Sequence, residues 1–121
     1  MRVIANAHPL QGDYARVDLS RAQEVFYNDV DDAKAKELTS LLVPTATGAW
    51  AGGVTYAAFR DIPATYVLCE RDNTIPQRVQ EEIVKAAGFT DVVRCDAGHS
   101  PFASRPKIVA GVIERVVKEG V

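Results

Sequence analysis

Apolar positions are densest and most regular after residue 61. Ala64-Thr65-Tyr66-Val67-Leu68-Cys69 follows Pro63 as a β-rich run without polar alternation, the pattern of a strand buried on both faces. Val79, Ile83, Val84 and Ala87 then recur on one helical face, and Gly88 stands where a helix ends. Ahead of them, Thr74-Ile75-Pro76-Gln77 combines a capping-box pattern with a proline in the first turn. Asp91-Val92-Val93-Arg94-Cys95 reads as a second strand and Ala97-Gly98-His99-Ser100-Pro101 as a loop. Ser104 is placed to cap a last helix with Pro106 in its first turn. The stripe of that helix is Ile108, Val109, Val112, Ile113, Val116 and Val117, and Gly120 closes it. The order strand–helix–strand–helix predicts an α/β unit with parallel strands.

The first half is less periodic. Residues 2–7 read as a short strand, ended at His8 because the residue before Pro9 avoids helical geometry. Residues 10–28 read as irregular, with Phe26 and Tyr27 as their large aromatic pair. Asp29, Asp31 and Asp32 precede strong helix formers and complement the positive end of a helix, which predicts a helix over 31–42 closed by Pro44. Gly48, Gly52 and Gly53 weaken any helix in 45–60, a loose helical or loop segment carrying Trp50, Tyr56 and Phe59. These aromatics are expected either to line a cap over an apolar group or to form that segment's own core. A seam near 60–63 divides a helical and irregular segment, 1–60, from an α/β segment, 61–121.

Composition narrows the function classes. At 121 residues the chain has the length of one domain, and 47% hydrophobic with 25% charged residues excludes general disorder. A net charge of −2 with no basic stripe argues against nucleic acid. The apolar stretches are too short and too interrupted by charge to span a bilayer, so no membrane is expected. The first residues lack the long apolar core and cleavage site of a signal peptide. Cys69 and Cys95 fit neither a zinc pattern nor a redox pair. They are expected as buried free thiols in a reducing compartment, which points to a cytoplasmic protein.

In open α/β sheets chemistry gathers at the carboxyl ends of strands. Glu70-Arg71-Asp72-Asn73 leaves one such end and Asp96-Ala97-Gly98-His99 the other. Adjacent strands lie about 5 Å apart, so Asp72 and His99 can meet across the gap. In such a pair the carboxylate fixes the imidazole tautomer and the imidazole moves the proton. A metal reading would use Asp96 and His99 with Asp72, too small a set without a further cluster, and no cofactor motif is present.

The run Pro63 to Pro76, an apolar strand leading into an acid-bearing turn and an aliphatic–proline step, resembles the penultimate-strand motif of α/β-hydrolases. Asp96-Ala97-Gly98-His99-Ser100-Pro101-Phe102, followed by Ser104-Arg105-Pro106, resembles the histidine loop and final helix of that family. Val25-Phe26-Tyr27-Asn28-Asp29 is similar to the cap region of its esterase and hydroxynitrile-lyase-like branch. The resemblance implies the C-terminal strand–helix–strand–helix part of an α/β-hydrolase parallel sheet, preceded by a mainly helical cap segment. It also implies Asp72 as triad acid, His99 as triad base and a small-molecule ester-like substrate. The order acid before histidine agrees with Ser…Asp…His.

One family element is missing. A nucleophile elbow, G-x-S-x-G, should precede the cap, yet serines stand only at 20, 40, 100 and 104. Gly98-His99-Ser100-Pro101-Phe102 begins like an elbow and ends in phenylalanine. Moreover, the oxyanion hole needs the N–H of the residue after the nucleophile, and Pro101 has none. Neither cysteine has the flanking glycines of an elbow. The expectation is therefore a chain that begins too late to hold the nucleophile and is inactive alone, completed by a missing upstream region, a second chain or an oligomer. The alternatives left open are a non-catalytic α/β binding module derived from a hydrolase, and a lyase on the same scaffold. An Asp72 and His99 on opposite faces of the sheet would defeat the family reading.

Overall fold

A computed structural model of the chain describes residues 14–119. Two parallel strands, β3 (Thr65–Cys69) and β4 (Asp91–Cys95), pair in register from Thr65 opposite Asp91 to Cys69 opposite Cys95. Helix α4 (Gln77–Ala87) connects them, and α5 (Pro101–Ser104) and α6 (Pro106–Glu119) follow. This is the expected strand–helix–strand–helix unit. Ahead of it, β1 (Tyr14–Ala15) pairs antiparallel with β2 (Thr45–Ala46) around α1 (Ala22–Phe26) and α2 (Asp32–Ser40). A short α3 (Gly48–Ala51) and a 3₁₀ turn (Ala58–Arg60) lead to β3. The predicted strand over 2–7, His8 and the closing Gly120 lie outside the described residues.

Local chemistry accounts for most boundaries. Asp31 caps α2 by accepting from the Lys34 N–H at 3.0 Å, and Asp32 sits in the first turn. Gly88 ends α4 in the left-handed region at φ 76°, where its N–H donates to the Val84 carbonyl at 3.0 Å. Pro106 opens α6, at a position whose N–H would have no helical partner.

Several expectations are corrected. Residues 10–28 are not wholly irregular, since Ala22–Phe26 is helical with Ala22 fully buried. Thr74 does not cap α4, whose first turn follows Pro76. Its hydroxyl instead donates to the Val25 carbonyl at 2.9 Å. Ser104 does not cap α6 either, because its hydroxyl is buried without a hydrogen-bond partner among the described residues. Asp29 does not serve the start of α2 but turns toward the His99 loop. β3 is fully covered only at Leu68 and Cys69, with Thr65 to Val67 half-buried. In the α6 stripe, Ile108, Ile113 and Val117 are exposed.

The centre of the α/β part is Leu68, Cys69, Cys95 and Ala97. Both cysteines are buried free thiols, as expected. At the opposite ends of the strands, Phe89 stacks on Phe59 at 5.3 Å and lies 5.4 Å from Tyr66. Phe59 therefore packs far from the strands' carboxyl ends. The Tyr56 hydroxyl donates to Asp61, and neither ring lines the cavity beside His99. The Trp50 side chain lies outside the description.

Candidate active site

The β3–β4 ladder does not stop with the strands. The Glu70 N–H donates to the Cys95 carbonyl and the Arg71 N–H to the Ala97 carbonyl, both at 2.9 Å. The two loops thus leave the sheet side by side, which brings Asp72 and His99 together. Nδ1 of His99 lies 3.0 Å from Oδ2 and 3.1 Å from Oδ1 of Asp72. An ionised carboxylate only accepts, so Nδ1–H is the donor and Nε2 is the nitrogen left for proton transfer.

Asp72 is buried and anchored on its other side. Its Oδ1 accepts from the Thr74 N–H at 2.7 Å and the Ile75 N–H at 3.0 Å, an Asx turn that starts the approach to α4. Burial pushes this carboxyl up. The hydrogen bonds from His99, Ile75 and Thr74, with the His99 charge, outweigh it and hold the carboxyl below its ordinary value.

The base of the acid loop is held by Gln80, which is buried on α4. Its Oε1 accepts from the Cys69 N–H at 2.9 Å, and its Nε2 donates to the carbonyls of Cys69 at 2.8 Å and Ile75 at 2.7 Å. The amide satisfies the backbone N–H and carbonyl of the last residue of β3. Gln80 was not among the predicted site residues. Its signal was a polar residue one turn from Val84 within an apolar helical face.

The segment around α1 closes the other side. Asn73 donates through Nδ2 to the Glu24 carbonyl at 2.8 Å, and the Phe26 ring lies 5.3 Å from the His99 ring. Together they border a cavity of about 780 Å³ that His99 lines with Val25, Tyr27, Val43 and Phe102. Ser100 also lines it, and its carbonyl accepts from the Ala103 and Ser104 N–H groups. Among the described residues, no group of three or more histidine, cysteine or acidic side chains could hold a metal ion. No helix among the described residues is long and apolar enough to cross a membrane.

Two parallel strands, an acid loop, a histidine loop and a closing helix define the class of an α/β-hydrolase core portion. A family model described as alpha/beta hydrolase family matches residues 2–112. The alpha/beta hydrolase nvfD of Aspergillus novofumigatus is 32% identical over 112 residues, covering 92% of this chain and 45% of that protein. Among solved structures, a methylesterase, MES16, from Arabidopsis superposes with a TM-score of 0.78 at 15% identity, covering 97% of this chain and 52% of that one. A pyrethroid hydrolase from Sphingobium faniae gives 0.75 at 24% identity, covering 92% and 46%. This chain belongs to the alpha/beta hydrolase family. It spans about half the length of the relatives it matches.

Proposed function

We propose that these residues supply the acid–base half of an ester-hydrolysing site. His99 acts as general base toward a serine nucleophile and then as general acid toward the leaving alcohol, and Asp72 orients it. The observation that carries this reading is the paired contact of His99 Nδ1 with a buried, doubly anchored Asp72, at the mouth of an apolar cavity. The serine is to come from polypeptide outside these 121 residues, in a longer product or a second chain, because no serine in the sequence has an elbow's flanking glycines. Support for a completing partner comes from the exposed Ile113 and Val117 of α6. The substrate fitting an apolar cavity is a small carboxylic ester, a reading to which the methylesterase and esterase names of the structural neighbours add weight.

The test is hydrolysis of p-nitrophenyl acetate by a product that joins this chain to a family elbow. His99→Ala is expected to lower kcat/KM by about 10²- to 10⁴-fold. Retention of the activity in His99→Ala overturns the assignment, as does hydrolysis by the isolated chain that survives the same substitution.

A further inference from the structure

We infer that Asp29 is a positioning residue for His99, an inference that rests on the acid–base role proposed for that histidine. Asp29 lies on the segment between α1 and α2, sixty-nine residues from Gly98 in sequence, and its side chain is only 3% exposed. Its Oδ2 accepts the Gly98 N–H at 2.9 Å. Asn28, beside it, donates through Nδ2 to the Arg71 carbonyl at 2.9 Å. Each bond lands on the residue immediately before a member of the pair: Arg71 precedes Asp72, and Gly98 precedes His99. The Asn28–Asp29 dipeptide therefore fixes the backbone of both loops from one side of the site.

Close packing makes the contact selective. A Cβ at Gly98 would stand 2.7 Å from Asp29 Oδ1 and would overlap the Asn28 side chain, so only glycine admits the pair this near. Arg71 and Arg105 approach Asp29 Oδ2 at 4.0 and 3.9 Å and offset its charge. The other oxygen, Oδ1, is buried without a hydrogen-bond partner among the described residues. A half-satisfied buried carboxylate disfavours folding relative to an apolar side chain of similar size. Its placement against the histidine loop is what a positioning role accounts for and a packing role does not.

The test is nuclear magnetic resonance of the ¹⁵N-labelled chain, reading hydrogen exchange of the Gly98 amide and the ring nitrogen shifts of His99. In the native chain the Gly98 amide is expected to be protected and the His99 ring to be held as the Nδ1–H form. In Asp29→Ala, Gly98 exchange is expected to speed up by about tenfold or more relative to β3 amides, as one charge-assisted bond is lost. The His99 nitrogens are then expected to move toward averaged tautomer shifts. Asp29→Asn, which keeps an accepting oxygen, is expected to restore both. Unchanged Gly98 exchange and unchanged His99 shifts in a folded Asp29→Ala overturn the inference. If Asp29→Ala fails to fold, an unprotected Gly98 amide in the native chain overturns it equally. In a hydrolytically active longer product, Asp29→Ala is expected to lower kcat by about tenfold and to leave KM within about twofold. The readouts fail separately. Responsive resonances beside a failed His99→Ala hydrolysis test retain the positioning contact and remove the proposed chemistry. Silent resonances beside a successful one do the reverse.

Discussion

Replacing Gln80 by leucine tests how the end of β3 is held. The substitution keeps the bulk of the side chain and removes all three of its hydrogen bonds, to the Cys69 N–H and to the Cys69 and Ile75 carbonyls. The Cys69 N–H is then a buried donor with nothing in Gln80's place. The Cys69 carbonyl keeps only the long 3.4 Å contact from the Asp72 N–H. A typical hydrogen bond contributes about 1 kcal/mol net, and a stranded buried group costs about 1–3 kcal/mol. The stranded donor takes the middle of that range, about 2 kcal/mol, and each carbonyl, which keeps a second lone pair, about 0.5 kcal/mol, the low end of a net hydrogen bond, which gives a loss of about 3 kcal/mol. With a urea slope of about 1.5 kcal/mol/M, the unfolding midpoint should fall by about 2 M at an unchanged slope. Urea titration followed by far-ultraviolet circular dichroism measures it. A chain left without a native baseline also agrees, because the loss would then rival a domain's whole stability. A loss below about 1 kcal/mol would refute the reasoning and mean that water or a shifted backbone replaces the amide.

Four further outcomes are expected. Asp72 is held below its ordinary value, so its bonds stabilise the fold above the unfolded carboxyl value of about 3.9 and lose that contribution as pH falls through the folded value. The stability difference between the native chain and Asp72→Asn should hold from pH 7 to about 5 and shrink below about 4; a difference that grows on acidification contradicts the assignment. The Cys69 thiol is pushed up to about 11, chiefly by burial and further by Cys95, Asp72 and Asp29, and burial raises Cys95 as well. Both thiols should resist Ellman's reagent at pH 8 and react once urea unfolds the chain, so rapid native labelling would refute this. Gly98→Ala should destabilise the chain by about 1–3 kcal/mol through overpacking against Asn28 and Asp29, measured by the same urea titration. Arg115→Ala, which removes the 2.7 Å contact to Asp91 at the start of β4, should cost less than about 1 kcal/mol because the pair is well solvated, as a double-mutant cycle with Asp91→Ala can show.

The part of the fold that was readable from sequence is the part where local signals and long-range packing agree. β3 and β4 are apolar runs that end in polar turns, α4 and α6 carry helical stripes, and the Asp72–His99 pairing follows from parallel strands ending together. The first half was harder because α1 has five residues and takes its place from long-range bonds rather than a long stripe. Thr74 and Ser104 illustrate the same limit. Each occupies a position that local rules assign to capping, yet Thr74 is claimed by Val25, forty-nine residues away, and Ser104 is buried. Asp29 resembled its neighbours Asp31 and Asp32 in sequence. Only the fold shows that Asp31 caps a helix and Asp29 reaches the histidine loop.

The continuation of the parallel ladder into both loops has a consequence for how the sequence can drift. The spacing between Asp72 and His99 is set by main-chain atoms at Glu70, Arg71, Cys95 and Ala97, which almost any residue provides. The Glu70 side chain, paired with Arg94 at 3.2 Å, is thereby released from holding the pair and stands exposed. That position can be randomised as a library to vary the charge beside the acid loop, with the main-chain ladder between the two loops kept by every member.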